Sequence, residues 1–253
     1  MLLEVKELCK SFGAVRAVDH VSFQLQAGEL LAMIGPNGAG KSTCFNLING
    51  QLLPDKGTVK ILNRDTTGKR PREVWKLGVG RTFQITATFP SMTVLENVQM
   101  VLISHRQKLN SFTKKMRKLY RDEAMELLKI VGVENQWNRT CGILAYGVLK
   151  RVELAMALAN NPKLLLMDEP TAGMGIKERL RLMELTKGIV KERAIGVLFT
   201  EHDMDVVFSH ADRIIVLNNG RLIAEGSPQE VRENEEVKRS YLGTFQIRGK
   251  TTD

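Results

Sequence analysis

Hydrophobic and polar positions alternate in several short stretches of the N-terminal part of the chain. The stretches lie at residues 2–6, 20–25, 29–34, 57–62 and 77–84, with glycine-containing or polar turns between them. Alternation with a period of two residues is typical of β-strands that have one buried face. These five stretches are therefore predicted to be strands.

The second half of the chain carries two uninterrupted apolar runs, at residues 163–168 and 194–200. Such runs suit strands that are buried on both faces of a parallel sheet. The residues between them, 177–190, have the spacing of an amphipathic helix, and this alternation of strand and helix favours an α/β fold. A hairpin at 213–226 turns at an Asn-Gly pair, and a capping signal at Ser227 predicts a helix after it.

Helical spacing dominates from Thr93 to about Ala159. We interpret residues 93–159 as a separate helical subdomain that is inserted into the rest of the domain. Residues 1–92 and 160–253 then form the core of a single domain spanning 1–253.

Composition narrows the class of protein. The 253 residues include 37 Lys and Arg against 28 Asp and Glu, which gives a formal charge of +9. No apolar run reaches the roughly 18–20 residues that cross a bilayer, and the first residues do not resemble a secretory signal, so a cytosolic location is expected. Cys9, Cys44 and Cys141 fit neither a disulfide framework nor a zinc-ligand spacing and are expected to be reduced packing residues.

A glycine-rich loop lies between a predicted strand and the predicted helix 42–50. Residues 35–42, Gly-Pro-Asn-Gly-Ala-Gly-Lys-Ser, match the pattern of a loop whose backbone N–H groups surround phosphate oxygens. Lys41 is predicted to reach the β- and γ-phosphates, and Ser42 to ligate Mg²⁺. The alternative is a glycine turn with an incidental lysine.

Acidic residues end the apolar run at 163–168. Asp168 is placed to hold Mg²⁺ or a metal-bound water, and Glu169, on the other side of the extended chain, to orient or deprotonate a water. Capping of the next helix is the alternative for this pair. His202 follows the second apolar run and has two interpretations, a donor to the γ-phosphate or a structural histidine at a strand end.

These motifs, in this order and over nearly the whole chain, resemble the ATP-binding subunit of an ABC transporter. Residues 35–43 resemble its Walker A motif, and residues 164–173 resemble its Walker B motif, catalytic glutamate and the start of its D-loop. Gln84 matches the Q-loop residue, and His202 matches the switch histidine. The resemblance implies an α/β fold: a P-loop (RecA-like) core with a mostly parallel sheet, an N-terminal antiparallel β subdomain and an inserted α-helical subdomain.

The resemblance also implies roles for individual residues. Catalysis would involve Glu169, His202 and Gln84, and the metal ligands would be Ser42, Gln84 and Asp168. Phe12 resembles the aromatic residue that stacks on adenine, with Val18 beneath the base, although an ordinary strand-end phenylalanine remains the alternative. The implied nucleotide-binding residues are Phe12, Val18, Gly35, Pro36, Asn37, Gly38, Ala39, Gly40, Lys41, Ser42 and Thr43.

The signature motif departs from the family's Leu-Ser-x-Gly-Gln. Its residues, which would act in trans on the ATP of a partner subunit, are Leu144, Ala145, Tyr146, Gly147 and Val148. Ala145 lacks the hydroxyl that would bind the γ-phosphate, and Val148 is apolar. Gly147 and the predicted helix 148–159 still supply N–H groups, so phosphate binding is expected to be weakened rather than abolished. Residues 171–176 also lack the family's usual Asp or Asn-Pro.

Within the family, residues 80–84, 92–98 and 145–147 look most like the importers of branched-chain amino acids. This implies an ATPase that uses ATP and Mg²⁺ at the inner face of the cell membrane. The implied partners are transmembrane permease subunits, a second ATP-binding subunit (a copy or a paralogue) and, indirectly, a periplasmic or extracellular solute-binding protein.

Two other functions stay open at this point. One is the ATPase subunit of a lipid or lipopolysaccharide exporter, which shares the fold and the chemistry. The other is a soluble ABC ATPase in DNA repair, chromosome structure or translation, which would require a coiled-coil insertion, zinc-binding cysteines or a second ATPase unit. No nucleic-acid partner is expected, and the basic segment 104–121 is interpreted as a lipid-headgroup contact or as a solvated helix face.

Overall fold

Two β-sheets and a set of helices make up the fold. The computed structural model describes residues 1–82, 88–106 and 120–242, with 241 and 242 described by their backbone alone. Gln84 and most of the basic segment lie outside the described residues. In chain order the strands are β1 (Leu3–Phe12), β2 (Val15–Leu25), β3 (Leu30–Ile34), β4 (Lys56–Ile61), β5 (Arg64–Asp65), β6 (Val79–Thr82), β7 (Leu164–Asp168), β8 (Gly196–Thr200), β9 (Arg213–Asn218) and β10 (Arg221–Gly226).

The helices connect and cover these strands. They are α1 (Lys41–Ile48), α2 (Pro71–Lys76), α3 (Val94–His105), α4 (Arg121–Ile130), α5 (Tyr146–Leu158), α6 (Ile176–Arg193), α7 (Met204–His210), α8 (Pro228–Glu233) and α9 (Glu235–Val237), followed by a π-helical turn (Lys238–Leu242). None of them combines the length and the apolar character that a membrane crossing requires. The predicted strands, the helix at 177–190, the hairpin at 213–226 and the helix after Ser227 are confirmed.

The strands form an antiparallel sheet and a mostly parallel one. The first has the order β2-β1-β4-β5, and the second has the order β10-β9-β3-β8-β7-β6, in which only β10 runs antiparallel to its neighbour. The predicted fold class, an α/β P-loop core with an N-terminal antiparallel sheet, is confirmed. Helices α3, α4 and α5 pack on one another, and their region carries the candidate signature residues.

Both faces of the parallel sheet are buried, which explains the uninterrupted apolar runs. In β3, Leu30, Ala32 and Ile34 pack into the core formed with the helices, whereas Leu31 and Met33 pack into the core formed with the antiparallel sheet and α1. Alternate residues of a strand point to opposite faces, so a strand between two cores must be apolar at every position. Packing on both faces holds the sheet in place. The loops at the carboxyl ends of its strands are therefore attached to a rigid base.

Helix α2 replaces part of the polar turn region predicted between the strands at 57–62 and 77–84. Pro71 occupies its first turn, where the missing N–H costs nothing, and the Glu73 carboxylate accepts a hydrogen bond from the Arg70 N–H at 3.1 Å. Helix α5 also begins at Tyr146, two residues before the predicted start at Val148. The first difference is a short helix that was not predicted, and the second is a helix start that no capping side chain marks.

The three cysteines are free and buried, as predicted. Burial raises the pKa of the Cys44 thiol to about 12, so this group stays protonated and unreactive. The structure does place Cys9 near Asp19 and His20, with possible ligand atoms within 4.8 Å of one another. The Asp19 carboxylate is already paired with two arginines, however, and their charges oppose a cation there.

Asp19 joins β2 to the hairpin of β9 and β10. Its buried carboxylate accepts hydrogen bonds from Arg221 Nε at 2.7 Å and Arg16 Nη1 at 3.0 Å, and it lies 2.8 Å from His20 Nδ1. The hydrogen bond from Arg221, followed by that of His20, lowers the pKa of Asp19 to about 2. The ionised carboxylate therefore stabilises the fold above the ordinary pKa of aspartate.

We expect Asp19→Asn to be less stable than the wild type at neutral pH, with a difference that shrinks as the pH falls from about 4 to about 2. A depressed carboxyl pKa contributes stability above the pKa of the unfolded state, and this contribution is lost as the folded group is protonated. Urea unfolding of both proteins across this range measures the difference. Asp205→Asn, at an exposed position, is the control. A difference that is independent of pH would contradict the role of the ionised carboxylate.

Candidate active site

The glycine-rich loop connects β3 to α1 at the carboxyl edge of the parallel sheet. Two of its glycines lie against backbone atoms. A Cβ on Gly35 would lie 2.1 Å from the Leu217 carbonyl oxygen, and a Cβ on Gly40 would lie 2.3 Å from the Ala17 carbonyl oxygen. Both also have positive φ, 148° and 103°, which a side chain disfavours. The loop is therefore packed between β2 and the β9–β10 hairpin, and its shape requires these glycines.

We expect Gly40→Ala to destabilise the protein by about 2 kcal/mol or more and to weaken nucleotide binding, because the new methyl group meets backbone and the φ is strained. Thermal unfolding and titration with a fluorescent ATP analogue measure the two effects. The matched control is Gly188→Ala in α6, where a Cβ meets nothing within 4 Å. That change should stabilise the helix by about 0.5–1 kcal/mol. Equal behaviour of the two variants would refute the packing argument.

Lys41 is folded back onto its own loop. Its Nζ donates to the Gly35 carbonyl oxygen at 2.7 Å and to the Pro36 carbonyl oxygen at 3.1 Å, and the residue is buried. Burial lowers the pKa of Lys41, and the charges of Glu169 and Asp168 oppose that shift. The ammonium group is thus held at the loop, next to the N-terminus of α1, which has no acidic residue in its first turn and no side-chain cap. The positive end of the α1 helix dipole is therefore available to an anion.

The carboxyl ends of β7 and β8 meet beside this loop. Asp168 pairs with Thr200 in the sheet, and the Thr200 hydroxyl donates to Asp168 Oδ1 at 2.8 Å. The same hydroxyl oxygen accepts the Glu169 N–H at 3.0 Å. Arg81 Nη2 lies 3.9 Å from Asp168 Oδ2. Thr200 therefore orients both acidic residues, a role that the sequence interpretation missed although a hydroxyl at the end of an apolar run is a usable signal.

Glu169 and His202 contact each other. Glu169 Oε1 lies 2.9 Å from His202 Nε2, and an ionised carboxylate only accepts, so Nε2 carries the proton in this hydrogen bond. Glu169 also has a positive φ of 47°, which is rare for a residue with a side chain and is held here by its two backbone N–H contacts to Thr200. Such a strained residue at a strand end is common at catalytic sites.

A cavity of about 180 Å³ brings most of these groups together. Its lining residues are Ala17, Asn37, Gly38, Ala39, Gly40, Lys41, Ser42, Thr43, Glu169 and His202. Ser42 supplies a hydroxyl oxygen and Asp168 a carboxylate oxygen, the hard donors that Mg²⁺ prefers, so the residues present fit this ion. The cavity thus combines an anion-binding loop with a carboxylate and an imidazole that could act on a bound phosphate.

Four residues of the nucleotide prediction, Phe12, Val18, Gly35 and Pro36, lie outside this lining. Gly35 and Pro36 form the start of the loop, and their carbonyl oxygens accept from Lys41 Nζ. Phe12, half exposed at the end of β1, is free to contact a ligand. Val18 is completely buried in the core beside the antiparallel sheet. The next residue of β2, Asp19, is buried as well, so the strand does not alternate at this point. Because Val18 has no exposed surface, its predicted contact with a base stays a prediction.

The signature residues are not part of this cavity. Ala145 precedes α5 and offers no side-chain hydrogen bond to it, and Tyr146 and Gly147 form its first turn. Ala145 and Tyr146 are exposed, whereas Gly147 is buried. The first turn of α5 thus lies outside the cavity: Ala145 and Tyr146 reach the surface, whereas a Cβ on Gly147 would lie 3.0 Å from the Glu178 carboxylate.

Comparison with known proteins matches this chain to ATP-binding proteins of ABC transporters. The family model described as "ABC transporter" matches residues 18–172, and the model described as "Branched-chain amino acid ATP-binding cassette transporter" matches residues 221–245. The chain is 37% identical over 252 residues to the high-affinity branched-chain amino acid transport ATP-binding protein LivG of Salmonella typhimurium. It is 36% identical over 252 residues to the protein BraF of Pseudomonas aeruginosa, which carries the same description. Each match covers 96% of this chain and 98% of the relative.

Solved structures agree with these matches. The chain resembles the ADP conformation of an ATP-binding cassette of an ABC transporter with a TM-score of 0.83 and 31% identity, over 96% of this chain and 98% of that one. It also resembles a dimeric ATP-binding cassette in a post-hydrolysis state bound to ADP and Pi, with a TM-score of 0.76 and 31% identity, over 90% and 99% of the two chains. The fold that surrounds the cavity is thus that of a nucleotide-binding cassette.

Proposed function

This chain belongs to the ABC transporter family of ATP-binding proteins, and we propose that it is the ATP-hydrolysing subunit of an importer of branched-chain amino acids. The observation that carries the proposal is the cavity at the glycine-rich loop, where Lys41, Glu169 and His202 lie together. The names of the relatives and the match of residues 221–245 favour the substrate class.

The chemistry follows from the groups around the cavity. Lys41 and the N–H groups at the start of α1 bind the β- and γ-phosphates, which replace the loop carbonyls as the partners of Nζ. Glu169 accepts a proton from the attacking water, and His202 donates its Nε2–H to the γ-phosphate once the phosphate is present. The distance of 2.9 Å between Glu169 Oε1 and His202 Nε2 supports the proposal that both groups act on one phosphoryl group.

Mg²⁺ is the proposed cofactor, held by Ser42 and Asp168, with Gln84 as a third ligand on the basis of the family resemblance. When bound, the ion would neutralise charge on the phosphates. Thr200 keeps Asp168 oriented through its hydroxyl, and the guanidinium of Arg81 lies 3.9 Å from this carboxylate and partly compensates its charge. Phe12 is proposed to stack on the adenine.

A second ATP-binding subunit completes the site. The exposed N-terminus of α5, with Leu144, Ala145, Tyr146, Gly147 and Val148, would bind the γ-phosphate held by the partner's glycine-rich loop. ATP then favours a closed dimer because both subunits bind its γ-phosphate, and loss of phosphate reopens it. We propose that the helical subdomain, residues 93–159, passes this motion to transmembrane permease subunits at the inner face of the membrane, with a solute-binding protein on the other side.

Uptake by a reconstituted complex tests the proposal. The chain is co-purified with the permease subunits of its own organism, placed in proteoliposomes, and assayed for ATP-dependent uptake of radiolabelled leucine in the presence of the solute-binding protein. Uptake that is lost with Glu169→Gln supports an importer. ATP hydrolysis with outward movement of a lipid and no leucine uptake would instead identify an exporter.

A further inference from the structure

Glu201 is a buried acidic residue beside the proposed site for which the mechanism above has no role. It follows β8 directly, between Thr200 and His202, and only 3% of its surface is exposed. Glutamate is rarely buried without a specific partner, because removing a carboxylate from water is costly. Burial also raises the pKa of Glu201, with a smaller contribution from the charge of Glu169.

The hydrogen bonds of Glu201 join two different segments. Its Oε1 accepts from the Thr171 N–H at 2.8 Å and from the Thr171 hydroxyl at 2.7 Å, and its Oε2 accepts from the His202 N–H at 3.3 Å. Thr171 begins the D-loop segment, residues 171–176, and is buried as well. One carboxylate therefore fixes the start of this segment and the backbone of the histidine at the same time.

The D-loop segment lies beside the signature residues. A Cβ on Gly173 would lie 3.4 Å from Tyr146 Cε1, an ordinary van der Waals distance, so the backbone of the segment passes next to the Tyr146 ring. A path thus leads from the Tyr146 ring to the neighbouring backbone at Gly173, along that backbone to Thr171, and by hydrogen bonds to Glu201. From Glu201 it continues to the His202 backbone and, through the imidazole, to Glu169. Within one chain, the surface proposed to serve a partner's ATP is connected to the groups proposed to act on its own.

We propose that Glu201 is a positioning residue that holds His202 and the D-loop segment in one arrangement, so that the two move together when ATP is bound and hydrolysed. This rests on the proposed roles of Glu169 and His202. Without the carboxylate, His202 and the D-loop segment would each be held by their other contacts, and the γ-phosphate would be contacted by a poorly oriented imidazole.

Two nearly isosteric substitutions test the proposal. In Glu201→Gln, the amide has one acceptor and one donor group, so either orientation turns an NH₂ group towards a backbone N–H, and one of the two links is broken. Thr171→Val removes only the hydroxyl. Each variant should lower kcat for ATP by roughly 10-fold or more, since small displacements of a positioned group have large effects on rate. The Kd for a fluorescent ATP analogue should stay within about two-fold of the wild type, because the glycine-rich loop is untouched.

A double-mutant cycle separates positioning from general destabilisation. Because both changes disturb one hydrogen-bonded unit, the losses in kcat from Glu201→Gln and Thr171→Val should be less than multiplicative in the double variant. Glu192→Gln, at an exposed position of α6, is the control and should match the wild type. Three results would each overturn the proposal. They are a kcat within two-fold of the wild type in both single variants, multiplicative losses of kcat in the double variant, and a loss of kcat that is matched by weaker ATP binding and lower thermal stability. A wild-type protein without ATPase activity would overturn the proposed function, and this inference with it.

Discussion

Glu169→Gln should lower steady-state ATP hydrolysis by about 100-fold or more while leaving nucleotide binding intact. The glutamine has the same shape, and its amide oxygen can still accept the His202 Nε2–H, so the change removes proton acceptance and little else. Removal of a general base typically costs 10²- to 10⁴-fold. Phosphate release with saturating Mg-ATP, together with a binding titration, measures both quantities.

The same variant should accumulate the closed dimer in ATP, which light scattering detects as a doubled mass. Glu192→Gln is again the control, because its side chain is exposed and remote from the cavity. If Glu169→Gln keeps a rate within a few-fold of the wild type, Glu169 is not the base, and the assignment of the Glu169–His202 pair fails.

Lys41→Ala should weaken the binding of ATP by roughly 100-fold, since hydrogen bonds to charged groups contribute about 1.5–3 kcal/mol and Lys41 is proposed to contact two phosphates. The ammonium group donates to the carbonyl oxygens of Gly35 and Pro36, and the phosphates would take over these contacts. Isothermal titration with Mg-ATP measures the affinity.

Lys191→Ala, in the exposed last turn of α6, is the control for the loss of one positive charge. It should bind ATP as the wild type does. An affinity of Lys41→Ala within a few-fold of the wild type would mean that the phosphates do not bind at this loop. Loss of folding would appear separately, as a lowered midpoint of thermal unfolding.

The strands and the glycine-rich loop were predictable because their signals are local. The apolar runs at β7 and β8 follow from burial on both faces, and the residues of the loop follow from the conformations that phosphate binding requires. The start of α5 at Tyr146 was not predicted, because Ala145 has no side-chain cap that would mark it in the sequence. Helix α2 is short and was missed, although Pro71 and Glu73 are local signals of its start.

Two residues that support the site, Thr200 and Glu201, were also not predicted from the sequence. Thr200 and Glu201 act through the pairing of β7 with β8, which brings residues about thirty positions apart into hydrogen-bond contact. The spacing of residues along the chain does not indicate which residue will be the hydrogen-bond partner, nor which face of the sheet a side chain will occupy. Val18 shows the reverse case: a motif placed it at the base, whereas in the folded chain its side chain packs into the core beside the antiparallel sheet.

The dependence of the ATPase rate on protein concentration tests the central claim, a composite site shared by two subunits, most directly. Phosphate release per chain is measured over a wide concentration series for the wild type and for Ala145→Ser, which restores one hydroxyl donor at the N-terminus of α5. We predict that the rate per chain rises with concentration and that Ala145→Ser raises it by about 10-fold at a given concentration, as expected for one hydrogen bond to a charged group. A rate per chain that stays flat over the series, and that Ala145→Ser leaves unchanged, would contradict a site completed by a second subunit.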